Sequence, residues 1–302
     1  ESYASAGAPI FVSFPVGAAN GVDVALGIYP FSITIPPLWA GRPAPRDSAS
    51  AGRLVVHQTT WLVPPAVLAS SWVPRGLQIE QRIVGVDAVQ GVLAVRVVFR
   101  NISATALYRA IDPVVAAQGI TYDKAYVGWG LDADIGALGG TIDDLYTFDP
   151  TLQMAVLYDA PMQEPGFSGP PALVGLRMLQ PPAGAATVAL TAWQAGADVV
   201  GTDAAGVGWS AYTVAGKPGA VVWTPPPSQP GDWRIGVAAG PLRLAPGDSA
   251  AFTVAVVIAP PVPGTYSAGT VMWPGDPTDA ARPFNAMAAG LYQRARSAQQ
   301  VQ

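Results

Sequence analysis

The sequence has no cysteine, a single histidine (His57), two lysines (Lys124 and Lys217) and three glutamates (Glu1, Glu80 and Glu164). Without cysteine there are no disulfides, no thiol nucleophile and no thiolate metal site. One histidine cannot build a histidine-rich metal centre. As a general base it would need a nucleophile, and no Gly-x-Ser-x-Gly elbow occurs; Gly166-Phe167-Ser168-Gly169 lacks the spacing. Phosphate-loop and dinucleotide fingerprints are also missing. No apolar run reaches the ~18–20 residues needed to span a bilayer as a helix. Charged residues are only 12% of the chain, against about 25% in an ordinary soluble domain. A free monomer keeps itself in solution with surface charge, so a chain this poor in charge is expected to have much of its surface covered by partners. The net charge of −4 and the lack of a basic run argue against nucleic acid and against an anionic membrane surface. Fourteen arginines against two lysines, and seventeen aspartates against three glutamates, fit a GC-rich coding sequence.

What is present is apolar residue, glycine and proline. Half of the chain is hydrophobic, and 33 glycines and 31 prolines punctuate it. Short alternating runs bounded by these residues read as strands. They cover Ile10 to Val16, Val22 to Ile35 with corners, Arg53 to Val63, a hairpin from Leu77 to Val86 and Val92 to Arg100, Ala125 to Trp129, Met154 to Tyr158, Ala172 to Leu179, Ala186 to Trp193, Trp233 to Ala238, and a last long strand after Asp248. Asn101-Ile102-Ser103 matches a glycosylation acceptor and is read as a turn. A helical turn is expected at Pro113 to Gln118, and Trp223 to Gly231 is expected to be a polyproline strip. From Arg282 the period changes to 3.6: Phe284, Met287, Ala288, Leu291, Tyr292 and Ala295 mark one helical face. Pro283 suits the first turn, Asp279 is placed to cap it, and Arg294 and Arg296 suit the last turn. The expected fold is all-β, an antiparallel β-sandwich of two packed units with a C-terminal amphipathic helix. The expected layout is an arm over 1–9, a first unit over 10–120, a second over 121–275, and the helix within 276–302.

Side chains able to do chemistry concentrate in one place. Five aspartates, Asp132, Asp134, Asp143, Asp144 and Asp149, fall within eighteen positions. Asp132 and Asp134 alternate, so in an extended segment they point to one side. Asp143, Asp144 and Asp149 are expected to return to them from a loop, and the glycines between allow sharp turns. Hard oxygens in that number suit Ca²⁺, which takes six to eight of them; the spacing is not an EF-hand. The competing reading is a turn region whose carboxylates cap backbone N–H groups.

Nine tryptophans and ten tyrosines suit sugar stacking and protein interfaces alike, since both use a flat apolar face with a polar handle. Trp39, Trp72, Trp129, Trp209, Trp223, Trp233 and Trp273 fall mostly at strand ends or in loops. Glu80 and Glu164 are too few and too far apart in sequence for a glycosidase pair, and an Asp–Asp or Asp–Glu pair is a weaker option.

Several stretches carry a family likeness. Gln81 to Asn101, Tyr126-Val-Gly-Trp-Gly-Leu-Asp-Ala-Asp-Ile-Gly136, Asp143-Asp144-Leu145, Gly169-Pro-Pro-Ala-Leu-Val-Gly175 and Ala239-Gly-Pro-Leu-Arg-Leu-Ala-Pro-Gly-Asp-Ser249 resemble uncharacterised secreted or surface β-sandwich proteins of bacteria such as Gemmatimonadetes and Bacteroidetes. The resemblance spans roughly residues 75–300. It implies an exported, non-enzymatic role and supplies no catalytic mechanism. The small, polar start from Glu1 is read as a mature N-terminus after signal removal. The expected function is therefore a non-enzymatic, membrane-extrinsic scaffold subunit in the periplasm or on the cell surface, bracing other envelope or membrane-complex proteins; a photosynthetic complex in a phototroph is one such setting. The alternative is a carbohydrate-binding or glycan-active β-sandwich supported by Ca²⁺.

Overall fold

The computed structural model describes residues 10–16, 22–28, 53–62, 76–86, 89, 91–111, 113, 115–131, 133, 135–136, 142–163, 169–194, 200–202, 208–210 and 229–301. The predicted hairpin forms as β4 (Leu77–Val86) and β5 (Val92–Asn101), paired antiparallel with Gln81 opposite Val97. It turns at Gly91, whose φ of +72° suits glycine. Period-two alternation gives β5 two different faces. Val95, Val97 and Phe99 enter one core, Val92 and Ala94 enter another, and Arg96 and Arg100 stay at the surface.

This hairpin belongs to a seven-stranded antiparallel sheet. With β3 (Arg53–Leu62), β7 (Asp144–Asp149), β8 (Met154–Asp159), β9 (Leu173–Gln180) and β14 (Ser249–Ala259), its order is β3-β4-β5-β14-β9-β8-β7. A second, five-stranded sheet has the order β10-β13-β6-β1-β2, from β1 (Ile10–Val16), β2 (Val22–Ile28), β6 (Tyr122–Leu131), β10 (Thr187–Gln194) and β13 (Trp233–Leu244). β11 (Val200–Thr202) and β12 (Gly208–Ser210) make a small separate ribbon. The two large sheets face each other across the inner core. Val127, Trp129 and Leu131 of β6 and Ile235, Val237 and Ala239 of β13 meet Phe99, Phe148, Leu176, Phe252 and Val254 of the larger sheet. The rings of Phe99 and Phe252 stack at 6.0 Å.

The larger sheet is apolar on its far side as well, and the C-terminus covers it. Pro283–Met287 (α2) and Ala289–Ser297 (α3) are followed by a 3-10 turn over Ala298–Val301. Phe284, Met287, Ala288, Leu291, Tyr292 and Ala295 are all buried against Val92, Ala94, Met154, Val156, Tyr158, Ala255 and Val257, which is the predicted helical face. Burying side chains such as Phe284, Met287 and Leu291 contributes roughly 1.5–3 kcal/mol each. Gly175 makes room for Met154 of the neighbouring strand beneath the helix, because a Cβ there would come within 2.8 Å of its Sδ.

Arginines pin this layer. Arg282, just before α2, is 4% exposed. Its Nε donates to Asn285 Oδ1 (2.8 Å), Nη1 to Thr147 Oγ1 (2.9 Å), and Nη2 to Phe148 O (3.2 Å) and Tyr292 Oη (2.9 Å). Its guanidinium also lies 5.2 Å from the Phe284 ring centre, within cation–π range. Arg177 of β9 donates to Leu152 O (2.9 Å) and to Ala295 O, and Arg294 donates to Ile258 O. Burial lowers the pKa of Arg177, with Asp149 acting in the other direction.

Five sequence expectations differ from the structure. Asp144–Asp149 is a strand rather than loop: Tyr146 and Phe148 fill the inner core while Leu145 fills the outer one. The short helix (α1) lies at Ala106–Ile111, ahead of Pro113 to Gln118, because Thr105 caps it, its Oγ1 accepting the Tyr108 N–H at 3.2 Å. β13 runs through Gly240 and Pro241 to Leu244, with a register shift against β6 between Ala239 and Leu242; irregular pairing is where a strand tolerates proline. The boundary near residue 120 divides neither sheet, since β5 pairs with β14 and β1 with β6. Asp279 caps Ala281 N–H in the preceding turn (2.9 Å) rather than the helix itself. The stretch 221–228 lies outside the described residues.

Arg282→Ala would leave Thr147, Phe148 O and Tyr292 without their buried donor. It is expected to lower unfolding stability by about 3 kcal/mol or more, and Arg282→Lys is not expected to rescue it, because an ammonium lacks the planar fork; equilibrium denaturation checks both. Burial holds the Tyr158 phenol well above its usual pKa, and that of Tyr292 is raised by the same cause, Arg282 opposing in each case. An unfolded phenol ionises near pH ~10, so above that pH the unfolded chain releases protons the folded one keeps, and stability falls as pH rises toward the folded values. The melting temperature should drop from about pH 10 upward, with a shallower slope in Tyr158→Phe/Tyr292→Phe; an unchanged slope counts against this assignment.

Candidate functional site

The structure describes three of the five predicted acidic residues. Asp132 and Asp134 lie outside the described residues; their neighbours Leu131 and Ile135 are buried in the inner core. Asp143 is half-buried, and its carbonyl accepts Ala160 N–H at 3.0 Å. Asp144 opens β7, is 1% exposed, and its carbonyl accepts Gly231 N–H at 2.9 Å. In the β7–β8 register Asp144 stands directly opposite Asp159, which is 0% exposed. Both carboxylates have further partners.

Asp149 does not join this pair. It closes the same strand, about 17 Å away at ~3.3 Å per residue, and its Oδ1 accepts Leu152 N–H at 2.9 Å, capping a turn. Of the three described aspartates, Asp149 therefore stands apart from Asp143 and Asp144. Asp159, which the sequence reading did not single out, is brought to Asp144 by hairpin register. The signal available for it was the short Pro150 to Gln153 turn between two apolar runs. Among the described residues, no group of three or more His, Asp or Glu side chains is arranged to hold a metal ion.

The other candidates resolve into packing. Asn101 is 1% exposed: its Nδ2 donates to Ile120 O (2.7 Å) and Leu244 O (3.0 Å), and its Oδ1 accepts from Ser103 N (3.1 Å) and Oγ (2.6 Å). That is the expected turn, built as a three-segment junction. Trp129 is buried in the inner core, and Trp233 meets the Tyr146 ring edge-on at 4.7 Å. Trp273 is 48% exposed. Trp39, Trp72, Trp223, Glu164 and the side chains of His57 and Trp209 lie outside the described residues; His57 itself stands opposite Ile83 in β3. An open groove of about 550 Å³ runs between α3 (Gly290, Gln293, Arg294, Ser297) and Pro260 to Pro263.

The described chain is thus an antiparallel β-sandwich with one helical outer layer, and no helix in it is long and apolar enough to cross a membrane. No known protein family and no curated protein matches the sequence. Among solved structures it is similar to a polysaccharide lyase, at 12% identity and a TM-score of 0.29 over 84% of this chain, and it spans 25% of that protein's length.

Asp149→Ala is expected to lower stability by about 1 kcal/mol through loss of its turn cap, equally with and without a chelator. If Asp144 instead belongs to a cation site, Asp144→Ala abolishes any chelator-induced drop in melting temperature while Asp149→Ala preserves it; paired melting curves separate the two positions.

Proposed function

We propose that this protein is a non-enzymatic structural subunit, exported to the periplasm or cell surface and associated with the membrane through other proteins. The observation that carries this reading is where its buried polar groups go. Asn101 joins three chain segments, Arg282 ties the helical layer to β7, and Arg177 ties β9 to the end of α3. These contacts rigidify the body, which suits a scaffold. The low charge of the sequence supports a surface covered by partners.

One feature favours a second reading, carbohydrate binding with Ca²⁺ support. Trp273 is half-exposed, as a sugar-stacking ring must be. Cross-linking in native envelopes followed by purification should recover the protein in a larger assembly, and a glycan array should give no Trp273-dependent signal. A monomer with no cross-linked partner sinks the structural reading; array binding lost in Trp273→Ala establishes the second.

A further inference from the structure

The outer face of the seven-stranded sheet changes character along β5. Val92 and Ala94 lie buried under the C-terminal helix, whereas Arg96 is exposed and Arg100 has a side chain 50% exposed. Strand register extends this open part sideways. On β4, Gln78 stands opposite Arg100, Glu80 opposite Val98, and Arg82 directly opposite Arg96. Residues paired in this way share a face, so register places position 82 on the same face as the exposed Arg96 and Arg100, with Glu80 between them, and this run of arginine positions is the basic strip.

Two arginines at directly opposed positions work against strand pairing. Arg100 has an acidic neighbour, Glu80, at 4.0 Å. Among the described residues Arg96 has no ion pair and no side-chain hydrogen bond. The strip is also a local inversion of sign, because the chain as a whole carries −4. Like charges at opposed strand positions, beside the exposed Arg96 and Arg100, suit a surface that takes up carboxylates, since guanidinium groups grip carboxylates with paired hydrogen bonds.

We propose that this strip is the docking surface for an acidic protein partner, whose carboxylate side chains neutralise the opposed positions Arg82 and Arg96. The proposal rests on the structural-subunit reading and names where and by what chemistry the partner is held. Glu80 within the strip favours a partner of mixed charge over a uniform polyanion, because a carboxylate placed against it is repelled.

The test uses the full chain with two probes, a glutamate-rich glutamate–lysine copolymer and polygalacturonate. The wild-type chain should bind the copolymer at ~50 mM salt and lose it near ~500 mM, where screening is strong. Arg96→Glu should weaken that binding about tenfold, and Arg96→Gln should weaken it less. Arg243→Glu, on the other sheet beside Asp123, should leave it unchanged. Arg96→Glu replaces a like pair by an opposite one and should melt no lower than the wild type, so its loss of binding is not unfolding. Should it melt lower, Arg96→Gln decides. Failure to bind the copolymer, unchanged binding in both Arg96 variants, or tighter binding of polygalacturonate each overturns the proposal. A chain that cross-links to a partner in its native envelope but ignores the copolymer keeps the structural reading and loses only this surface.

Discussion

A sheet that is apolar on both faces must be covered twice. β5, β8, β9 and β14 each send alternate residues to opposite sides: Val254 and Leu176 toward the five-stranded sheet, Val257 and Leu173 toward the helix. The five-stranded sheet alone would leave one hydrophobic face in water, so the C-terminal segment is a wall of the second core rather than an appendage. Arg282 fixes its position, binding neutral oxygens of β7 and of the helix itself. A charge in so dry a place is tolerable because four of its N–H groups are engaged.

The same economy of polar groups runs through the sandwich. Asn101 sits where β5 ends, and its amide fixes the segment at Ile120 and the end of β13 at Leu244. Together with the opposed Asp144 and Asp159, it places buried polarity at strand ends, where main-chain groups lack a ladder partner. On the outer face of the larger sheet, polar character appears where the helical cover ends, at Arg96 and Arg100 of β5.

Much of the architecture could be read from local pattern. The 3.6-residue spacing from Phe284 to Ala295 located the outer layer, and the alternation of Phe252, Val254 and Val256 against Ala255 and Val257 predicted the two faces of β14. What escaped was whatever depends on pairing between distant segments. β7 was hidden because aspartates flank a run of only four apolar or aromatic-rich positions. Two consecutive units were expected because neighbours in sequence usually pair, yet β5 and β14 pair across about half of the chain. The candidate site suffered in the same way. Asp143 and Asp144 stood out by density, whereas Asp149 was grouped with them although an extended strand carries it away, and Asp159 became a neighbour only through register. The opposition of Arg82 and Arg96 was nearer to hand, since it follows from a local hairpin turning at Gly91.

The position of β14 in the sheet sets the order in which the molecule can be completed. It lies between β5 and β9, and among the described strands it comes last in sequence. Until Ser249–Ala259 emerges, β5 and β9 each present an unpaired edge, and the ladder cannot close across its centre. Such long-range closure makes folding slow and leaves sticky intermediates. During synthesis, the chain therefore spends its most vulnerable period with two open edges and no helical wall. A keystone delivered last makes assembly all-or-none, and any chain cut short of residue 259 carries both exposed edges for as long as it lasts.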